Sequence, residues 1–114
     1  MRLLVTDPIS DEGLEILRRD ARVQVEVNSN LSHEELLKEI EGYDGIIIRS
    51  GTKVTADVIE AGRCLKVVGR AGVGVDNVDV ECATRRGVLV MNTPVANILS
   101  AAEHTMAMIL TLAR

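Results

Sequence analysis

The 114-residue chain has no tryptophan, no phenylalanine and one tyrosine, Tyr43. Its core must therefore be built from Val, Ile, Leu, Ala and Met, and stacking on a flavin has no Phe or Trp to draw on. Only two cysteines are present, Cys64 and Cys82. They have no CxxC spacing and no histidine at ligand distance, which leaves no metal site and no disulfide framework to read. Structural thiols in a reducing, cytoplasmic compartment are the expectation. No basic run exceeds Arg85-Arg86, and the net charge is −4. That balance lacks the electrostatic footprint of a nucleic-acid binder. Apolar runs are short as well. The longest, Ala101 to Ala113, is interrupted by Glu103 and His104 and falls short of the roughly 20 residues a membrane span needs. The opening Leu3-Leu4-Val5 is too short for a signal peptide.

What is present is a regular alternation of short strands and helices, on a length that suits one domain. Leu3-Leu4-Val5 reads as a strand stopped at Asp7-Pro8, and a helix follows over about 11–19 with Leu14, Ile16 and Leu17 apolar. Val23, Val25 and Val27 alternate with Gln24 and Glu26, the period of a half-exposed edge strand. Ser32-His33-Glu34-Glu35 is a capping box. The helix it opens should end at Gly42 in a left-handed cap. Gly45 to Ile48 is a continuous apolar strand, Thr55 caps a helix that Gly62 ends, and Leu65 to Gly69 is a fourth strand. A short helix over 80–86 stops at Gly87, and Val88-Leu89-Val90 is a fifth strand. Ser100-Ala101-Ala102-Glu103 is a second capping box, opening a final helix. Five βα units predict an α/β, doubly wound parallel sheet with right-handed crossovers. The order 2-1-3-4-5 makes the alternating second strand an edge.

Under that order the carboxyl ends of strands one, three and four present Asp7-Pro8, Arg49-Ser50-Gly51 and Gly69-Arg70-Ala71-Gly72-Val73-Gly74 to one crevice. Open α/β sheets bind ligands at such a switch point. Two guanidiniums there can form an anion site, because the planar fork pairs with carboxylate or phosphate. Gly51, Gly72 and Gly74 would let backbone N–H groups approach the anion. The alternative is that both arginines are strand-end residues pairing with nearby carboxylates. Gly72-Val73-Gly74 after a strand suggests a dinucleotide loop, yet Asn77 stands where the third glycine belongs and no acid ends a following strand at the expected distance. That reading is set aside. Asn92 and Asn97 could donate to a ligand in the same crevice, or satisfy local backbone as turn asparagines commonly do. His33 is expected to be solvated, and His104, beside Met106 and Met108, to pack at an interface.

The strings Arg49-Ser50-Gly51-Thr52-Lys53-Val54, Val68 to Asp79 (VGRAGVGVDNVD), Met91-Asn92-Thr93-Pro94 and Leu99 to Thr105 (LSAAEHT), in order and with matching spacing, resemble the NAD-dependent D-2-hydroxyacid dehydrogenases. Among them the likeness is to members that oxidise 3-phosphoglycerate to 3-phosphohydroxypyruvate in serine synthesis. The resemblance implies a flavodoxin-like substrate-binding domain over 1–98, and a terminal helix over 99–114 leading to a nucleotide-binding domain. It implies that Arg49, Ser50, Gly51, Arg70, Gly72 and Asn97 hold the small anionic substrate and that Val73 meets the nicotinamide side of NAD. The dinucleotide loop, the catalytic arginine and the glutamate–histidine pair of the family have no counterpart in the sequence. The chain is therefore expected to be a truncated piece, with no catalytic or metal-binding residue of its own, no bound cofactor and no activity alone. Leu99 to Ala113 is apolar nearly all round, so the terminal helix is expected to pair with a second copy in a homodimer. A receiver domain would need aspartate at Arg49, and a flavodoxin a hydroxyl-rich loop after strand one. A stand-alone anion-binding or interaction module remains the alternative.

Overall fold

The computed structural model describes residues 1–92. Five strands, β1 (Arg2–Val5), β2 (Gln24–Val27), β3 (Gly45–Ile48), β4 (Val67–Arg70) and β5 (Leu89–Asn92), form one sheet in the order β2-β1-β3-β4-β5. Every pairing is parallel. Between them run α1 (Asp11–Arg18), α2 (His33–Glu39), α3 (Ala56–Ala61) and α4 (Val80–Arg85). The predicted topology and the edge position of β2 hold. Asn97, the helix expected over 99–114 and His104 lie outside the described residues.

Alternation along the strands divides the core between the two faces of the sheet. Leu4, Ile46, Ile48 and Val68 point to one side, against Leu36, Val58, Ile59, Cys82 and Ala83 of α2, α3 and α4. Leu3, Val5, Ile47 and Val67 point to the other, where Leu17 of α1 and Val23 cover them. All four β3 residues are buried, as the apolar run required. Burial fades along the edge strand from Val23 to the exposed Val27.

Several local expectations need correction. The core is not purely aliphatic: Tyr43 is its largest fully buried side chain. It can be buried because its hydroxyl reaches out to Glu26 and Glu39, and the Arg2 guanidinium lies 4.4 Å from its ring centre. Gly42 is not a left-handed cap. The helix tightens into a 3₁₀ turn over Ile40–Gly42, and the room of the missing Cβ is taken by Arg2 Nη1, 2.8 Å from where that atom would be. Thr55 precedes α3 without capping it. Its hydroxyl donates instead to Asp57, whose Oδ1 also accepts the Val58 N–H. Cys82 is buried but Cys64 is exposed, so only one thiol is structural. The capping box at Ser32 and Glu35 is present with both reciprocal bonds. Gly87 takes φ of 70°, the backbone region glycine enters at least cost, and ends α4 as expected.

Register sets where the strands stop. Ile48 pairs with Arg70 and Arg70 with Asn92, so β3, β4 and β5 end level. Val5 pairs with Ile47, which brings Asp7 beside Arg49. The connections leaving all four strands therefore start from one edge.

Candidate functional site

Asp7, buried although charged, organises that edge. Its Oδ2 accepts the N–H of Arg49 at 2.7 Å and of Thr52 at 3.0 Å. Its Oδ1 accepts the Thr52 hydroxyl at 2.9 Å, and the Thr6 and Thr52 hydroxyls lie 2.8 Å apart. Bonds to an ionised acceptor are the strong kind, about 1.5–3 kcal/mol each. Gly51 is a glycine for this reason: a Cβ there would sit 2.8 Å from Asp7 Oδ1. The expected opening beside Gly51 is thus filled, at that point, by the chain's own carboxylate.

The opposite side of the same loop is held by Asn77. Its Nδ2 donates to the Arg49 carbonyl at 2.7 Å and to the Thr52 carbonyl at 2.6 Å. Val54 and Val78 form a parallel bridge beside it, with Val54 N–H on Asn77 O and Asp79 N–H on Val54 O, both at 2.9 Å. Asn92 Nδ2 donates to the Val73 carbonyl at 2.6 Å. The loops after β1, β3 and β4 and the last residue of β5 are in this way fastened into one wall. Ser50 and Gly51 form the exposed crest of the β3 loop, and among the described residues no acceptor takes their N–H groups.

The two arginines are both at the edge, but they do not share a partner. Exposed Arg49 donates from Nη1 to the Pro8 carbonyl at 3.3 Å. Arg70 is 12% exposed and folds back on its own loop, with Nη1 on the Gly74 carbonyl and Nη2 3.9 Å from Asp76. Its Nε is buried with no partner among the described residues. The strand-end alternative is thus half met, by a carbonyl for Arg49 and by a carbonyl with a distant carboxylate for Arg70. Gly72 lies against the guanidinium, where a Cβ would meet Nη1 at 3.3 Å, and Gly72 N–H donates to the Arg70 carbonyl at 3.0 Å. Val73 projects at the loop tip, 67% exposed. Asn97 lies outside the described residues.

Residues 72–74 do not form a dinucleotide cradle. They wrap Arg70 rather than open a helix, and α4 starts only at Val80, its terminus already capped by the Asp79 carboxylate on Cys82 N–H at 2.9 Å. A pyrophosphate needs such a terminus free. Among the described residues no group of three or more His, Cys, Asp or Glu could hold a metal ion. No helix among them is long and apolar enough to cross a membrane.

Sequence reasoning placed Arg49, Ser50, Gly51, Arg70 and Gly72 on this edge correctly. It missed the parts played by Thr52 and Asn77. The sequence signal for Asn77 was the polar residue in a third-glycine position, which was read only as a mismatch. His33 is half-exposed yet not merely solvated, since Nε2 lies 2.7 Å from Asp57 Oδ2. The Thr55 hydroxyl first, and His33 second, hold the Asp57 carboxyl down at about 2. His33 also lines a cleft of about 360 Å³ that adjoins the edge at Thr6, Gly51 and Thr52 and extends along Ser32, Leu36 and Thr55.

Comparison with known proteins agrees with the fold. The family model for D-isomer specific 2-hydroxyacid dehydrogenase, catalytic domain, matches residues 3–111. A D-3-phosphoglycerate dehydrogenase of Archaeoglobus fulgidus is 48% identical over 114 residues, all of this chain and 21% of that protein. One of Sus scrofa is 57% identical over 113 residues, again 21% of its length. The NAD+-bound crystal structure of 3-phosphoglycerate dehydrogenase in Entamoeba histolytica superposes with a TM-score of 0.73 at 30% identity, covering 82% of this chain and 32% of that one. The chain thus spans about a fifth of the length of these curated relatives.

The packing around Asp7 predicts unequal costs for two glycine substitutions. Gly51→Ala drives a methyl against a buried carboxylate fixed by three donors and should destabilise by about 1–3 kcal/mol. Gly74→Ala meets the tip of Asp76 at 3.1 Å, a side chain 90% exposed that can swing away, and should cost less than about 0.5 kcal/mol. Urea unfolding measures both, and equal small effects would contradict the packing.

Proposed function

The chain belongs to the D-isomer specific 2-hydroxyacid dehydrogenase family, and we propose that it supplies the substrate-binding part of an NAD-dependent dehydrogenase that oxidises 3-phosphoglycerate. The observation that carries this reading is the single wall built from the loops after β1, β3 and β4 and the end of β5. It sets the Arg49 guanidinium, the Ser50–Gly51 crest and the Arg70–Gly74 loop on one edge. Two cations and two N–H groups without internal acceptors suit a ligand with two anionic groups.

In this proposal Arg49, Ser50 and Gly51 take one anionic end, and Arg70 with the Gly72 backbone takes the other. Asn97 adds a contact from the connection after β5. Arg70 must exchange its internal carbonyl for the substrate, which a charge-assisted partner favours. NAD supplies the hydride acceptor in the relatives, but the residues described here do not fit its pyrophosphate. Only Val73 is proposed to meet it, from the nicotinamide side. Binding and orientation of the acid are then this chain's contribution, with residues 1–98 as the substrate domain and 99–114 as the helix joining it to a nucleotide-binding domain. A cytoplasmic site in serine synthesis fits the relatives' names and the reduced thiols.

The chain alone should bind 3-phosphoglycerate only at millimolar concentration and should not turn it over with NAD. Arg49→Ala and Arg70→Ala should each weaken binding by about 1.5–3 kcal/mol, enough to abolish saturation in calorimetry. Arg49→Lys should recover part of the loss, because a point charge cannot replace the fork. Wild-type affinity in both alanine variants would return the arginines to plain strand ends.

A homodimer through residues 99–113 is proposed from their sequence, in which Leu99, Ala101, Ala102, Met106 to Leu110, Leu112 and Ala113 are apolar. Sedimentation equilibrium at micromolar concentration should show the dimer mass, and Met108→Lys should shift it toward monomer. A monomer in both would refute the interface.

A further inference from the structure

Asp7 and Asn77 grip the β3 loop at the same two residues from opposite sides. Asp7 takes the N–H groups of Arg49 and Thr52, and Asn77 serves the carbonyls of the same two residues. Only Ser50 and Gly51 lie between the grips. We propose that Asp7 and Asn77 are positioning residues, a two-sided clamp that fixes the Ser50–Gly51 crest in its ligand-ready shape before any ligand arrives. The proposal rests on the anion-site reading above and adds the residues on which that site depends.

Three observations support it. The jaws come from distant parts of the chain, the connection after β1 and the loop after β4, so the grip is tertiary rather than a local turn. Each jaw has the chemistry its targets need: an acceptor-only carboxylate faces N–H and O–H donors, and an amide N–H₂ with two hydrogens faces two carbonyls. The Asn77 Oδ1 is buried with no partner among the described residues. Holding that orphan has a cost, which the side chain bears while both of its hydrogens are engaged on the loop. Neither jaw can be exchanged for the other. A crest fixed in advance loses less freedom on binding, which is how preorganisation raises affinity.

Asn77→Asp tests the clamp at constant shape. At pH 7 its carboxylate would face two carbonyl oxygens with no hydrogen to give, and that crowding raises its pKa. On acidification the neutral carboxyl regains one O–H and can serve one carbonyl. The full chain is measured by ¹⁵N relaxation and by titration with 3-phosphoglycerate at pH 7 and at about pH 4.5, always as a ratio to wild type. Expected at pH 7 are order parameters of Ser50 and Gly51 falling from about 0.85 to below about 0.6, with Val67 and Val68 unchanged. The affinity should fall about tenfold. Both losses should shrink at the lower pH. A crest that stays rigid in the variant overturns the clamp, as does a loss that acidification leaves untouched. Should Asn77→Asp not fold, Asp7→Ala carries the rigidity reading, because it removes the acceptor that the Arg49 and Thr52 N–H groups share. If wild type binds no 3-phosphoglycerate, the anion-site reading fails by itself, while the rigidity of Ser50 and Gly51 still decides the clamp.

Discussion

The arrangement of the carboxyl edge depends on one buried carboxylate. Asp7 leaves β1 at the level where Arg49 leaves β3, and its two oxygens collect donors from Arg49 and Thr52. A buried charge is tolerable only when hydrogen-bonded this fully. The requirement acts in both directions: the loop is shaped by Asp7, and Asp7 can stay buried only because the loop supplies its donors. Gly51 follows from the same constraint, since any side chain there would displace the carboxylate. The Asn77 and Asn92 amides extend this order outward to the loop after β4 and the end of β5.

Strand order was legible in the sequence because patterns of burial are one-dimensional. The continuous Gly45–Ile48 run can suit only a central strand, and the alternation at Val23, Val25 and Val27 only an edge. The capping box at Ser32 and Glu35 and the stop at Gly87 were legible for a similar reason, as their chemistry closes within four residues. The failures were tertiary. Nothing local to Gly42 announces that Arg2 will fill its missing side chain, and nothing near Tyr43 says that Glu26 will meet its hydroxyl. The site divides along the same line. Which residues reach the edge followed from strand ends, but which partners they choose did not. Arg70 could be placed with Arg49 at one edge from the sequence, but not its fold onto Gly74, which its own glycine-rich loop leaves room for.

The family match and the edge geometry support each other from different sides. Relatives named D-3-phosphoglycerate dehydrogenase align over the whole chain, while the glycine loop after β4 leads to a helix whose terminus is already capped by Asp79. A binding surface for a small dianion, made rigid by internal carboxylate and amide contacts, is the role that fits both. The cleft beside His33 and Thr55 competes as a ligand site only on volume. Among its lining residues Lys53 is the single lysine, and the His33–Asp57 contact beside it already satisfies one of its polar groups.

The central claim is that the edge after β3 and β4, and not that cleft, receives the anion. Titrating 3-phosphoglycerate into the ¹⁵N-labelled chain and following every backbone amide tests it most directly. The account predicts that the largest shifts fall on Arg49, Ser50 and 72–74, none of which lines the cleft. Shifts centred on Ser32, His33, Leu36 and Thr55, or spread evenly over the sheet, would contradict it.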